Sequence, residues 1–245
     1  SDIGKGTYPY YMLKEIDEQP TVMRKLIQAY TDENDQVSVD PAIIKAVQEA
    51  DRLYILAAGT SYHAGFATKR MLEELTDTPV ELGISSEWGY RWPLLSKKPM
   101  FILISQSGET ADSRQVLVKA NAMGIPSLTV TNVPGSTLSR EATHTMLLHA
   151  GPEIAVASTK AYTAQIATLA FLAKAVGDAN GNEKAKQFDL VHELSIVAQA
   201  IEATLSEKDG IDEKVRDLLA TTRNAFYIGR GQDYYVAMEA SLKLK

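Results

Sequence analysis

From residue 52 onward the chain repeats one order: a short apolar run, a polar loop, then a longer helix-like segment. The runs are Leu53 to Ala57, Val80 to Ile84, Met100 to Ile104 and Ser127 to Thr131, with another near Thr145 to Leu148. Helical patterns fall at Tyr62 to Leu75, Ala111 to Met123 and Ala161 to Val176, with a short one at Ser86 to Trp92 and a turn at Pro134-Gly135. Strands of about five residues spaced by helices of about ten or more argue for βαβ units and a mainly parallel sheet. The order predicts an α/β fold, a doubly wound, three-layer parallel-sheet domain of about 130 residues, within the usual range of domain sizes.

The flanks read differently. Residues 1–39 are expected to form a peripheral helical arm, with Met12, Ile16, Met23, Leu26 and Ile27 at helical spacing and Pro20 interrupting them. Asp40-Pro41, an acid at the cap and a proline at the first helical position, opens the α/β domain assigned to residues 40–180. Helical patterns at Gln187 to Leu205 and Asp212 to Thr221 make residues 181–222 a connecting segment. Residues 223–245 repeat strand, glycine loop and helix: Asn224 to Ile228, Gly229-Arg230-Gly231, then a helix from Tyr234. One βα piece cannot bury its own faces, so this stretch is read as the truncated start of a second, similar domain. Phe226, Ile228, Val236 and Met238 are expected to expose apolar surface there.

Charge and composition remove several classes of function. The 25 basic and 31 acidic residues give a net charge of -6, and neither sign is blocked together, so no general footprint for nucleic acid exists. The absence of cysteine excludes disulfides, thiolate metal sites and cysteine nucleophiles, and fits a reducing compartment. The most apolar stretch, Ala161 to Val176, is interrupted by Gln165 and Lys174, and Ser1 to Tyr11 has no apolar signal core. A cytoplasmic protein with no membrane partner is expected.

Three polar loops carry the chemistry. Ser105-Gln106-Ser107-Gly108-Glu109-Thr110 follows the run ending at Ile104, and Gly59-Thr60-Ser61 follows the run ending at Ala58. Val156-Ala157-Ser158-Thr159-Lys160 precedes the apolar helix from Ala161. A loop that leaves a strand and opens a helix presents unpaired backbone N–H groups and the positive end of the helix dipole to an anion. Such a loop can equally be a serine-rich helix cap. In a parallel sheet, however, loops after strands emerge at one edge, where open α/β folds bind ligands, so three of them are expected to converge on one phosphorylated ligand. No dinucleotide fingerprint and no Gly-Lys-Ser/Thr phosphate loop occurs.

Other residues have two readings each. Lys160 is a solvated or ion-paired lysine or a ligand contact; Glu109 orients water or sugar hydroxyls or favours a helix N-terminus. His63, His144, His149 and His192 lack the spacing of a metal site, and only His63 lies near a loop that could use a proton carrier. Trp88, Tyr90 and Trp92 read first as packing against the sheet, and Gly229-Arg230-Gly231 as an anion contact or a tight turn. Lys243 and Lys245 close the chain on a helix, where lysines normally face water.

Taken together, these segments resemble the isomerase part of the glutamine-dependent fructose-6-phosphate amidotransferases, which is built from two sugar isomerase (SIS) domains. Lys14 to Pro20 is similar to the family's opening helix, and Ala58 to Ser61, Ser105 to Asp112, Asn132 to Ser136 and Gly151 to Ala161 are similar to its successive loops. The resemblance implies a cofactor-free conversion of fructose 6-phosphate and ammonia to glucosamine 6-phosphate, in a homodimer, with ammonia released in an N-terminal glutaminase domain. It implies that Ser105, Gln106, Ser107 and Thr110 hold the phosphate and that Thr60, Ser61, Val156 and Ser158 line the sugar. Glu239 to Lys245 resembles the stretch whose first lysine, here Lys243, lies in the family's active site. There the stretch continues into the glutamate that moves the proton between C1 and C2, and this chain stops one residue short of it. The resemblance therefore implies binding without turnover. The alternatives are an SIS-type deglycase or isomerase acting on another sugar phosphate, or a sugar-phosphate sensor without catalysis.

Overall fold

Short runs rich in Ile, Leu, Val, Met and Phe, of which only Val80 to Ile84 carries a charged residue, pair most readily where both sheet faces are covered. In the computed structural model, which describes residues 4–244, they do so. Ser1 to Ile3 and Lys245 lie outside the described residues. The N-terminal helices are α1 (Tyr11–Asp17), α2 (Gln19–Ala29) and α3 (Pro41–Glu49). The α/β body follows as β1 (Arg52–Ala57), α4 (Gly59–Thr76), β2 (Val80–Ile84), α5 (Ser85–Tyr90), β3 (Pro99–Ile104), α6 (Ala111–Ala122), β4 (Ser127–Thr131), α7 (Thr137–Glu141), β5 (His144–Leu147) and α8 (Lys160–Asn180). The chain continues through α9 (Glu183–Gln187), α10 (Leu190–Ser206), α11 (Lys208–Leu219) and α12 (Gln232–Leu244).

The five strands form one sheet in the order β2-β1-β3-β4-β5, and every pairing is parallel. Alternate residues serve opposite layers. Leu53, Ile55 and Ala57 of β1 join the larger core with Leu72 of α4 and Phe171 and Leu172 of α8. Tyr54 and Leu56 turn to the other face, against Trp88 of α5 and Val116 and Ala120 of α6. The doubly wound, three-layer α/β fold is thus present, with α4 and α8 on one side and α5, α6 and α7 on the other.

Local signals explain most boundaries. Asp40 Oδ1 accepts from Ala42 N at 2.8 Å, capping α3 directly ahead of Pro41. Pro20 lies in the first turn of α2, so the interruption expected there is a break between two helices at Glu18. The short α7, after the Pro134-Gly135 turn, had no sequence signal. Trp88 and Trp92 pack on Phe101 and on each other, with ring centroids 5.2 to 5.9 Å apart, whereas Tyr90 faces solvent.

Two expectations need correcting. α2 is no surface arm, because Val22, Met23 and Leu26 are buried in the main core. Residues 224–228 form no strand, although their composition suits one. A strand is stabilised by ladder bonds to a neighbour, and none of the five strands pairs with this segment. Phe226, Ile228 and Val236 are exposed and Met238 is half-buried, while α11 buries none of its residues.

Candidate functional site

The strand order reverses between β1 and β3, so the connections leaving these neighbours depart to opposite faces of the sheet. A crevice opens at such a switch point, at the carboxyl ends of the strands. Here it is a cavity of about 210 Å³. Thr60 and Ser61 line it from the first loop, Ser105, Gln106, Ser107 and Thr110 from the second, and Ser158 from the third. The three loops therefore meet. Val156 does not join them, since its side chain is fully exposed. A larger groove of about 920 Å³, lined by Lys45, Lys97, Lys98 and His144 among others, lies at the opposite edge, where the strands begin. None of the three loops reaches it.

The polarity of the cavity follows from its hydrogen bonds. Ser105 Oγ accepts from Gly108 N at 3.1 Å and shares a 2.7 Å bond with Thr110 Oγ1. Ser107 Oγ accepts from Glu109 N at 3.2 Å. Ser61 Oγ accepts from Gln165 Nε2 at 2.9 Å, and Thr60 Oγ1 accepts from Lys243 Nζ at 2.8 Å. A hydroxyl has one proton and two lone pairs, so Thr60, Ser61 and Ser107 accept from the protein with the proton left for a ligand, whereas Ser105 and Thr110 spend one of their two protons on each other. The N-termini of α4 and α6 open here too, and no side chain caps either one. Their unpaired amides and dipoles add to the donor character. No carboxylate lines the cavity among the described residues. The result is a neutral, donor-rich seat suited to an anion.

Gly108 makes the second loop possible. Its φ is +68°, and a Cβ at this position would overlap the Ser136 hydroxyl and come within 2.9 Å of Thr131 Oγ1. The turn is then locked to its neighbours, as Leu138 N donates to Gly108 O and Asn132 N donates to Gln106 O. Glu109 points away from the cavity. Its Oε1 accepts from Thr137 N at 2.9 Å, and hydrogen bonding from Thr137 holds the carboxyl below its usual range. It serves a helix N-terminus, that of α7, rather than α6, which directly follows it.

The third loop differs from the other two in a way that its sequence did not indicate. Glu153 Oε2 accepts from Thr159 N and Ala161 N at 3.1 and 3.0 Å, so these two amides at the start of α8 are occupied by the chain itself. Glu15, buried on α1, accepts from Ile154 N and Ala155 N at 2.6 and 3.1 Å. Lys160 is buried and paired with Glu18 at 2.6 Å, which settles it as an ion-paired residue. This loop contributes Ser158 to the cavity.

Behind Thr60 lies a charged cluster that joins α12 to α4. Glu239, 5% exposed, places Oε2 2.7 Å from His63 Nδ1 and Oε1 2.5 Å from Lys243 Nζ. Burial, with the nearby Glu239 charge second, pushes the Tyr162 hydroxyl up to about 12. The stacked rings of Phe66 and Tyr235, 5.0 Å apart, complete the junction. Lys243 thus stands one hydrogen bond behind the cavity wall. Sequence reasoning missed Gln165 and the pairing of His63 with Glu239. The available signal for Gln165 was its place as a lone amide inside an apolar helix. Among the described residues no group of three or more His, Asp or Glu side chains could hold a metal ion, and no helix is long and apolar enough to cross a membrane.

Comparison with known proteins agrees with this fold. Residues 46–175 match the model of the SIS domain. The chain is 88% identical over its whole length to a glutamine–fructose-6-phosphate aminotransferase (isomerizing) of Streptococcus pneumoniae, and 84% identical to that of Streptococcus pyogenes serotype M1. It spans 41% of the length of these relatives. Among solved structures it is similar to the C-terminal domain of glucosamine-fructose-6-phosphate aminotransferase from Francisella tularensis, with a TM-score of 0.92 and 33% identity. That match covers 98% of this chain and 68% of the other.

Proposed function

Since the chain belongs to the SIS domain family, we propose that its cavity seats fructose 6-phosphate in a glutamine-dependent fructose-6-phosphate aminotransferase. The convergence of three hydroxyl-bearing loops on one cavity without a carboxylate supports this most directly. A phosphate dianion fits the turn from Ser105 to Thr110, where hydroxyls and the unpaired amides of α6 point the same way. The sugar then extends toward Thr60, Ser61 and Ser158. Lys243, held by Glu239 and donating to Thr60, supplies the nearest positive charge.

Exchange of a carbonyl between C2 and C1 requires a base within hydrogen-bond reach of the carbon acid. Glu239 is engaged by His63 and Lys243, and no carboxylate lines the cavity among the described residues. The proposed role of this stretch is therefore to bind and orient the substrate, with the base supplied from elsewhere in the intact protein. We place that protein in the cytoplasm as a homodimer, with ammonia delivered from a glutaminase domain.

Titration calorimetry tests the seat. Fructose 6-phosphate should bind and fructose should not, and Ser107→Ala should cost about 1.5 to 3 kcal/mol, roughly ten- to a hundredfold in affinity. Equal binding of the two sugars would remove the seat. Failure of the intact protein to form glucosamine 6-phosphate from fructose 6-phosphate and glutamine would remove the reaction.

A further inference from the structure

We propose that Gln165 is a positioning residue that fixes the direction of the Ser61 hydroxyl and turns its proton toward the ligand. This rests on the sugar-phosphate reading of the cavity given above.

Gln165 is 1% exposed on α8, among buried Ala161, Ala164, Ala167 and Thr168. Its Nε2 donates to Ser61 Oγ at 2.9 Å, and its Oε1 is buried with no partner. An unpaired buried amide oxygen is destabilising, and a methionine of similar length would fill the same space without that cost. Packing alone gives no reason for an amide here. The half of it that is paired does one thing, which is to hold Ser61.

Ser61 needs holding because of where it sits. It is the third residue of α4, where a serine hydroxyl can donate back to the carbonyl three or four residues earlier. That bond would spend the only proton and turn lone pairs toward an anion. In the structure Ser61 donates no hydrogen bond among the described residues, and Gln165 is its one hydrogen-bond partner. Accepting from the amide keeps Oγ at the cavity wall with its proton unspent. Lys243 does the same for Thr60 from the other side.

The test is a double-mutant cycle in the intact protein, read by titration with fructose 6-phosphate and with fructose as the control. Gln165→Met and Ser61→Ala should each weaken fructose 6-phosphate binding about ten- to a hundredfold. The double variant should lose no more than either single one, and the melting temperature of Gln165→Met should not fall. Gln165→Glu adds a signature that a packing role does not produce. A buried carboxyl that is protonated at acidic pH donates as the amide does, and once ionised it can only accept. Binding by this variant should therefore be retained at acidic pH and lost as pH rises. Wild-type affinity in Gln165→Met, or losses that multiply in the double variant, would overturn the proposal and leave the seat intact. A wild type that does not distinguish fructose 6-phosphate from fructose would overturn the seat and this proposal together.

Discussion

The Lys160 ammonium, its side chain only 2% exposed, lies 2.6 Å from the Glu18 carboxylate at the break between α1 and α2. This pair ties the N-terminal helices to the start of α8, and so to the loop that carries Ser158. The partners are unequal, because Glu18 is about one third exposed and also meets Lys14 at 3.4 Å. Removing the carboxylate strands a buried cation, whereas removing the lysine leaves an acid that water can solvate. Glu18→Gln should destabilise by about 1 to 3 kcal/mol, less than a fully buried pair would lose. Lys160→Met should cost less. Urea midpoints in the reverse order would show that the lysine stem, rather than its charge, is what matters.

Gly108 and Gly124 both have positive φ, +68° and +69°, but only Gly108 is crowded. Alanine at either position should cost about 1 to 2 kcal/mol of backbone strain. At Gly108 the new methyl also pushes against Ser136, so the Ser105 to Thr110 turn must open. Gly108→Ala should therefore abolish measurable fructose 6-phosphate binding while Gly124→Ala retains it. Similar affinities for the two variants would disconnect this turn from the ligand.

Glu109 gives a pH test with a definite sign. Hydrogen bonding from Thr137 lowers its folded-state pKa below the ordinary 4.5. A lowered carboxyl stabilises the fold above its unfolded-state pKa, and this contribution disappears as pH falls through the folded-state value. The melting temperature gap between wild type and Glu109→Gln should be widest near neutral pH and close below about pH 4.5. A gap that stays constant from neutral to acidic pH would contradict the assignment.

The α12 junction should respond to its buried acid. Glu239→Gln removes the charge shared by His63 and Lys243, so α12 should detach more readily. Cleavage by a nonspecific protease within residues 222–231 should accelerate, and fructose 6-phosphate affinity should fall as Lys243 loses its hold on Thr60. Unchanged cleavage would assign the docking to the Phe66 and Tyr235 stack instead.

The fold was legible where neighbours in sequence are also neighbours in cause. A run such as Met100 to Ile104 carries its own instruction to be buried, and the Asp40-Pro41 cap is complete within three residues. The cavity hydroxyls were legible for the same reason, since a loop after a strand has a predictable place. Partners far apart along the chain left no mark: Glu15 on the amides of Ile154 and Ala155, Gln165 on Ser61, His63 on Glu239. A lone amide in an apolar helix marks Gln165 as unusual without naming Ser61 as its partner. Asn224 to Ile228 misled because strand composition is not sufficient without a neighbouring strand, and none of the five strands pairs with this segment.

The wall of the cavity is made of hydroxyls and amides, with its one ammonium set behind Thr60. Lysine and arginine clusters attract anions over a Debye length of about 10 Å at 0.1 M salt, and that attraction weakens as ions accumulate. Hydroxyl donors and the amides of a helix terminus act at shorter range, within the first turn. On the proposed reading, occupancy by a sugar phosphate should fall less steeply with added salt than it would at a lysine-lined site.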